Sequence, residues 1–366
     1  MGSSIGVLDS NIAIPSKLNQ TRTRQFDSIT AFRNSPWNLS GYCDFYLAKD
    51  QLGMLQNREY GNIVSYSKLG EIQLNLAMIK LAYQKNDLRS NFAIGAGTYM
   101  MKNLVNEPVG LRNLFEANIG IQLNKRNSTW FDVGVFPSHI GFESAIGFDC
   151  LNLTRSLLAE NSPYYEAGCR LVGENKYFNW GIYVLNGWQT IYKSPGAQKG
   201  LDVGGQVNKK WRNFEFNYSN IITSPFENSG ENRYFHNLFV KWQSRSNWNF
   251  VAGFDIGSQR SVTGDRRIWQ SPIFIVSKQK GIHRFALRAE QFKDPYQVMV
   301  ENGFMPSQEV NLLGYSINYD CEIKSDVLLR VEARKLNNSS VYFQIDPNVG
   351  PTRSVTMFTI ALQVKI

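Results

Sequence analysis

The sequence predicts an all-β protein: a single transmembrane, antiparallel, up-and-down β-barrel of about sixteen strands. Three observations support this prediction. Apolar and polar residues alternate with a period of two over most of the chain after residue 36. The alternating runs are even in number and close to the roughly ten residues that a membrane-spanning strand needs. Short connections between the runs alternate with long ones.

The stretch Phe115–Asn124 shows the alternation most plainly. Its odd-numbered positions are apolar, and its even-numbered positions are polar or glycine. A period of two means that the strand has two chemically different faces. The same pattern recurs in 37–47, 213–219, 327–334 and 360–366, so it extends over the whole chain.

We predict about sixteen strands from these runs. They lie near residues 37–49, 70–84, 90–102, 114–125, 129–137, 164–173, 176–187, 200–209, 211–222, 233–243, 246–258, 266–278, 281–292, 308–321, 325–336 and 351–366. The second half of the run 70–84 and the run near Trp269–Val276 alternate poorly, and the latter contains Pro272. A barrel of this size encloses a lumen wide enough for water.

The connections after even-numbered runs are short and rich in turn residues, for example 85–87 and 125–128. The connections after odd-numbered runs are mostly long. Outer-membrane barrels have short turns on the periplasmic side and long loops outside. The first run begins and the last run ends on the short-turn side, so we expect both termini to be periplasmic.

The composition narrows the classes of protein. Charged residues make up only 19%, and there are 23 Phe, 17 Tyr and 8 Trp, which disfavours a disordered chain or a coiled coil. No stretch approaches the roughly 18–20 apolar residues of a membrane helix. The net charge of +9 comes from Lys and Arg scattered singly, so nucleic acid is not an expected partner. A soluble β-sandwich also alternates, but its loop lengths need not.

Five segments carry a family resemblance. They are Trp37-Asn38-Leu39-Ser40-Gly41-Tyr42, Ser138-His139-Ile140-Gly141-Phe142-Glu143-Ser144, Leu153-Thr154-Arg155-Ser156, residues 159–168, and Leu185-Asn186-Gly187-Trp188-Gln189. They resemble the OmpL-like β-barrel porins, the porin-2 family that is frequent in the outer membranes of Bacteroidota. The resemblance implies an outer-membrane porin, a passive diffusion channel for small hydrophilic solutes or ions. The alternative is a closed barrel that acts as a scaffold or a partner subunit of an outer-membrane complex.

The predicted lumen-facing charges form two groups. The first, on runs thirteen and fifteen, consists of Arg284, Arg288, Arg330, Arg334, Glu290 and Glu332. The second, on runs four to six, consists of Glu116, Asp132, Glu166 and Arg170. In a ring of sixteen strands these groups lie on roughly opposite walls, and a transverse field with a mild anion preference would follow. The alternative is that the charges form cross-strand pairs on a solvated wall.

The third long connection, from about Pro137 to Pro163, is the predicted constriction. A loop of this length without strands of its own is usually functional. The resemblance to porins implies that it folds inward and narrows the channel. Its charged candidates are Glu143, Asp149, Arg155 and Glu160. An external lid or a contact with a neighbouring barrel is the competing interpretation.

Aromatic residues near the ends of runs are candidates for the girdles that flank the apolar band of a membrane barrel. They are Trp130, Tyr165, Trp188, Trp211 and Trp242.

Catalytic and metal chemistry find little support in the sequence. Ser138 cannot form a triad with His139 by adjacency alone, because the partners must meet through hydrogen bonds in space. The other two histidines, His236 and His283, fall on predicted outward faces. Four widely spaced cysteines contain no C-x-x-C pair. We expect no enzyme activity, no metal and no cofactor.

The expected organisation is a segment 1–36, a periplasmic extension or partial plug, followed by a barrel over 37–366. The expected partners are outer-membrane lipid and small hydrophilic solutes or ions. Porin-like barrels are often trimers, and the sequence leaves both a homo-oligomer and an envelope complex open.

Overall fold

The computed structural model describes residues 35–366, apart from 52–57, 60–62, 194–199, 226–231, 262, 301, 304–307 and 347–349. Nearly all of the predicted segment 1–36 therefore lies outside the described residues, and its role stays a prediction. No helix among the described residues is long and apolar enough to cross a membrane.

Sixteen strands form one closed antiparallel barrel, which confirms the predicted fold class and strand number. In chain order they are β1 (Trp37–Asp50), β2 (Ile72–Lys85), β3 (Leu88–Ala96), β4 (Leu114–Asn124), β5 (Thr129–Pro137), β6 (Tyr165–Glu174), β7 (Asn179–Leu185), β8 (Asp202–Trp211), β9 (Phe214–Ile222), β10 (Arg233–Gln243), β11 (Trp248–Arg260), β12 (Arg266–Lys280), β13 (His283–Asp294), β14 (Val310–Lys324), β15 (Val327–Asn338) and β16 (Ser354–Lys365).

The barrel closes where β1 pairs with β16. Tyr42 lies opposite Lys365 in this pairing. At its end, the N–H of Gly41 donates to the carbonyl oxygen of Ile366 at 2.8 Å, and the N–H of Ile366 donates to the carbonyl of Gly41 at 2.9 Å. Each of the remaining strands, β2 to β15, pairs with the strand before it and the strand after it in the chain. Closure leaves no free sheet edge, as a membrane barrel requires.

The outer face of the barrel wall is apolar and the inner face is polar, the reverse of a soluble protein. On β4, Ile119 is 54% exposed on the outer face, whereas the neighbouring Asn118 is 6% exposed on the inner face. Apolar residues are normally the buried ones in a soluble fold. The alternation therefore places an apolar surface toward lipid and a polar surface toward the lumen.

Only part of the predicted aromatic girdle lies on the outer face. Trp211 and Trp242 lie there near the short turns, and each has its ring centre 6.4 Å from that of Phe214.

The other three predicted girdle residues lie elsewhere. Trp130 shares the inner face with Asp132, two residues further along the strand, and Tyr165 is buried with its hydroxyl on Glu107. Trp188 lies in the connection after β7.

The connections at one end of the barrel are short, and most at the other end are long. The segment 261–265 is an exception on the long-connection end. The long connections contain the helices α1 (Thr98–Asn103) and α2 (Leu157–Glu160), 3-10 turns at Val109–Leu111 and Gly147–Asp149, and two small ribbons that pair Arg58–Glu59 with Lys68–Leu69 and Phe343–Asp346 with Gly350–Thr352.

The predicted run 90–102 is too long. The strand ends at Ala96, because Gly97 adopts a φ of +124°. A Cβ at this position would lie 2.5 Å from the carbonyl oxygen of Asn75, so glycine is required there. The chain then turns into α1. The poor alternation in 70–84 also has a cause, since the pairing of β1 with β2 shifts register between Asp44 and Phe45.

Candidate functional site

The connection after β5, residues 138–164, folds into the barrel, and we call it the lumen loop. The N–H of Leu153 donates to Oδ1 of Asn318 at 2.9 Å, and the N–H of Thr154 donates to Oε2 of Glu332 at 2.6 Å. Both acceptors lie on inner faces, on β14 and β15. The loop therefore starts at one wall and reaches the opposite one, inside the barrel rather than above it.

Arg155 fixes the shape of the lumen loop. Its side chain is fully buried. The guanidinium donates to the carbonyl oxygens of Ser144 at 2.6 Å, Leu153 at 2.8 Å and Ala145 at 3.3 Å. Arg155, predicted as a charge of the constriction, thus lies inside the loop and ties its two arms together.

Glu143 and Ser156 form a second internal brace. Oε2 of Glu143 accepts from the N–H of Ser156 at 2.8 Å and from its hydroxyl at 2.5 Å. The same hydroxyl accepts from the N–H of Ala159 at 3.1 Å and caps α2. Asp149, another predicted loop charge, forms an ion pair with Lys365 at the end of β16.

The predicted basic group lies on the inner face behind the lumen loop, and we call it the arginine wall: Arg284, Arg288, Arg330 and Arg334. Arg284, Arg288 and Arg330 bind the backbone of the loop. Arg330 donates to the carbonyl oxygen of Gly147 at 2.7 Å, and Arg288 donates to that of Thr154 at 2.7 Å. Arg288, Arg330 and Arg334 are at most 3% exposed, so the loop covers them.

Carboxylates on the same wall pair with these arginines. Glu332 lies 2.9 Å from Arg288, and Glu290 lies 2.7 Å from Arg334. Asp320 on β14, which the sequence analysis missed, lies 2.7 Å from Arg330. The alternation on the run 308–321 already places Asp320 inward, so the signal was present. These pairs nearly cancel the wall's charge, and they lie beneath the loop, whereas the cross-strand alternative placed such pairs on a solvated wall.

The predicted acidic group is compensated in the same way. Glu116 forms an ion pair with Lys80 at 2.6 Å. Asp132 accepts from Arg89 at 2.6 Å and from Arg170 at 2.8 Å. Lys80 and Arg89, on the inner faces of β2 and β3, were missed by the sequence analysis.

A glycine makes the pairing of Asp132 with Arg89 feasible. Gly120 lies between them in the register, opposite Arg89 on one side and Asp132 on the other. A Cβ at Gly120 would meet Oδ1 of Asp132 at 1.9 Å. Only glycine leaves room for the carboxylate to cross β4 and reach the guanidinium.

The third acidic residue, Glu166, anchors the start of the lumen loop. It accepts from the hydroxyl of Ser138 at 2.7 Å and lies 2.8 Å from Nδ1 of His139. Nε2 of His139 is 3.0 Å from the carbonyl oxygen of Asn220, and the ring stacks on Tyr183 at 3.9 Å. Both ring nitrogens thus lie within hydrogen-bond distance of an oxygen, one of Glu166 and one of the backbone of Asn220.

Glu160 connects the lumen loop to the first long connection. Its two carboxylate oxygens accept from the N–H of Val64 at 2.7 Å and from that of Ser65 at 3.3 Å. Burial raises the pKa of Glu160 from 4.5 to about 7, and the two N–H donors only partly oppose this. The carboxyl group therefore changes its charge near neutral pH.

We expect Glu160→Gln to remove a pH dependence of stability. Because the pKa is raised in the folded state, the folded protein binds more protons than the unfolded chain between about pH 4.5 and 7. Stability therefore falls as the pH rises through this window. The wild type should lose about 2 kcal/mol relative to the variant between about pH 5 and pH 8, by urea unfolding in detergent. Glu174→Gln, at the exposed end of β6, should keep the wild-type pH dependence. Parallel curves for wild type and Glu160→Gln would contradict the assignment.

Comparison with known proteins identifies the family. The sequence pattern of the family described as "Putative beta-barrel porin-2, OmpL-like" matches residues 36–366. The chain belongs to this family. No curated protein sequence matches the chain at a significant level. The family and the closed barrel make this chain an outer-membrane channel of the porin type.

Solved porin structures share the fold of this porin-2 member. The outer membrane channel DcaP of Acinetobacter baumannii has a TM-score of 0.60 at 8% identity, covering 90% of this chain and 97% of that one. The Salmonella typhi OmpF complex with daunomycin has a TM-score of 0.59 at 14% identity, with the same coverages. The anion-selective porin of Comamonas acidovorans has 0.58 at 9% identity, covering 90% and 99%.

In this porin-2 barrel a cavity of about 390 Å³ remains beside the lumen loop, on the side away from the arginine wall. Residues 137–146 of the loop region line one side of it. The other side is the inner face of β8 to β10 and of β2 and β4, with the polar residues Gln206, Asn208, Glu215, Asn217, Lys241, Lys80 and Glu116. Sequence reasoning missed most of this lining because it followed charge clusters, although the alternation places these side chains inward.

Proposed function

We propose that this protein is a passive diffusion channel for small hydrophilic solutes or ions, with the lumen loop as its constriction. The observation that carries the proposal is the position of the loop: it fills one side of the barrel and leaves on the other a cavity whose wall is partly polar. The route for solutes would then run between the loop and β8 to β10, not along the arginine wall.

The chemistry of the cavity suits a water-filled passage. Lys241 and Lys80 contribute positive charge, and Glu215 and Glu116 contribute negative charge. Asn and Gln side chains between them offer both donors and acceptors. Such a lining replaces part of the hydration shell of a polar solute and binds neither cations nor anions strongly.

A bulky side chain in the cavity tests the route. We expect Asn208→Trp to lower the single-channel conductance in planar bilayers to about half or less, because an indole occupies much of the cavity that a solute would use. Val207→Trp, on the outer face of the same strand and 46% exposed, is the matched control and should conduct like the wild type. Equal conductance of Asn208→Trp and wild type would rule out this route.

One observation favours the alternative of a closed barrel that acts as a scaffold or partner subunit. A buried apolar cluster at the long-connection end joins residues of several connections, among them Tyr66, Val300, Tyr342 and Phe343. Such a cluster narrows the external mouth. Absence of conductance steps from correctly folded wild-type protein would favour the scaffold over the channel.

The proposal includes no catalytic step. Ser138 and His139 both contact Glu166, and the remaining ring nitrogen of His139 faces a backbone carbonyl. This arrangement supports a structural anchor rather than a nucleophile with its base. With the short turns on the periplasmic side, both termini would be periplasmic. Assembly as a homotrimer, or within an envelope complex, remains part of the proposal.

A further inference from the structure

A second cavity lies at the long-connection end, between the hairpin of β11 and β12 and the connection that follows β13. Its volume is about 260 Å³. A water molecule takes about 30 Å³ in the liquid, so the cavity has room for several groups of that size. Its lining residues are Arg233, Gln259, Arg260, Ser261, Arg267, Gln297 and Val298.

Three arginines line this cavity, and no carboxylate is among its described lining residues. Among the described residues, the side chains of Arg260 and Arg267 have no hydrogen-bond or ion-pair partner. Both side chains are exposed, so a solute can reach them. Asp202 and Asp294 compensate part of the charge of Arg233. An anion would offset the repulsion that Arg260 and Arg267 add at this site.

Arg233 forms the floor of the cavity and is held in place. Its Nε donates to Oε1 of Gln259 at 3.2 Å. Its guanidinium carbon lies 5.1 Å from the ring centre of Trp188 and 5.5 Å from that of Trp269. A guanidinium stacked between aromatic rings loses little further freedom on binding a ligand.

Two described carboxylates close in sequence to the lining residues have backbone or hydroxyl partners of their own. Asp294 accepts from the N–H groups of Val298 at 2.9 Å, Met299 at 2.7 Å and Val300 at 3.2 Å, which fixes the connection that roofs the cavity. Asp265, in the hairpin, accepts from the hydroxyl of Thr263 at 3.0 Å. The positive charge of Arg260 and Arg267 is thus left for a ligand.

We propose that this cavity binds a small oxyanion, a carboxylate or a phosphate group, at the mouth of the barrel. Guanidinium groups match the geometry of both through paired N–H donors. That such a bound solute then enters the lumen rests on the proposed channel function, whereas the binding itself does not.

Calorimetric titration of the full-length protein in detergent with inorganic phosphate tests the site. The wild type should bind phosphate saturably, and Arg267→Gln should weaken binding about tenfold or more, because it removes one charge-assisted contact. Arg245→Gln is the matched control: it lowers the net charge equally but lies in the short turn between β10 and β11, at the other end of the barrel. Its affinity should stay within about twofold of the wild type.

Further arms separate the explanations. Arg260→Gln should also weaken binding, which protects the test if Arg267→Gln folds poorly, and heat-modified gel mobility checks the folding of each variant. Titration with acetate distinguishes carboxylate from phosphate, and binding of either supports the site. Absence of binding for both ions, or equal affinity in wild type and both cavity variants, would overturn the proposal. A wild type that binds phosphate but passes no current would refute the channel and leave the site intact.

Discussion

Replacing residues 141–156 by a short Gly/Ser linker should raise the single-channel conductance at least about twofold. A barrel of sixteen strands is wide enough for an aqueous channel unless something fills it. The lumen loop fills it here, since it is bound to Asn318 and Glu332 on the far wall. Without the loop, the arginine wall would face water. Its four arginines outnumber Glu290, Glu332 and Asp320, so the enlarged channel should also gain a mild anion preference.

Planar-bilayer recordings measure both effects, the second through the reversal potential in a salt gradient. A Gly/Ser segment of the same length as residues 141–156 provides the control. It keeps the length of the chain inside the barrel but lacks the hydrogen bonds that attach the lumen loop to the wall. Its current should be noisier than that of the wild type and lower than that of the short linker. Unchanged conductance of the short-linker variant would show that the loop does not limit the passage, and strong cation selectivity would exclude the expected role of the arginines.

The barrel wall can be predicted from the sequence because the face of each residue depends only on its near neighbours. Asn118 and Ile119 differ in side-chain chemistry, and that difference alone places one inward and the other outward. The residue at which a strand ends is harder to predict from the alternation. The run 90–102 keeps its apolar residues past Gly97, yet the backbone turns there because of close contact with Asn75 on β2.

The path of the lumen loop cannot be predicted from local pattern. Its anchors join residues 165 and 178 positions apart, from Leu153 to Asn318 and from Thr154 to Glu332. Here only the resemblance to porins indicated an inward fold. A sequence pattern predicts that a polar side chain points into the barrel, but it does not predict that a loop covers that side chain.

The pairing of charges needs the register as well as the alternation. Asp320 lies directly opposite both Arg284 and Arg330 in the neighbouring strands. Alternation places all three inward, but the cross-strand register is what turns a predicted basic wall into a set of ion pairs. The predicted transverse field depended on leaving these partners out.

Arg330→Met should be among the most destabilising single substitutions in the barrel. The guanidinium binds Asp320 and donates to the carbonyl oxygens of Gly147 at 2.7 Å and Cys150 at 3.1 Å. A methionine of similar length fills the space but leaves the buried carbonyl oxygen of Gly147 without its donor. Asp320 and the carbonyl oxygen of Cys150 keep only Arg284 as an arginine partner. Breaking a buried charged pair from one side costs about 3–5 kcal/mol. Urea unfolding in detergent measures this loss.

Lys335→Met, on the outer face of the same strand, is the control and should change stability by less than about 0.5 kcal/mol. A double-mutant cycle then separates the two tasks of Arg330. If Arg330 served only Asp320, Arg330→Met would cost nothing further in an Asp320→Asn background. We expect a further loss in that background, because Arg330 also binds the carbonyl oxygens of Gly147 and Cys150 in the lumen loop. Absence of a further loss would assign Arg330 to the wall alone and weaken the case that arginines hold the constriction in place.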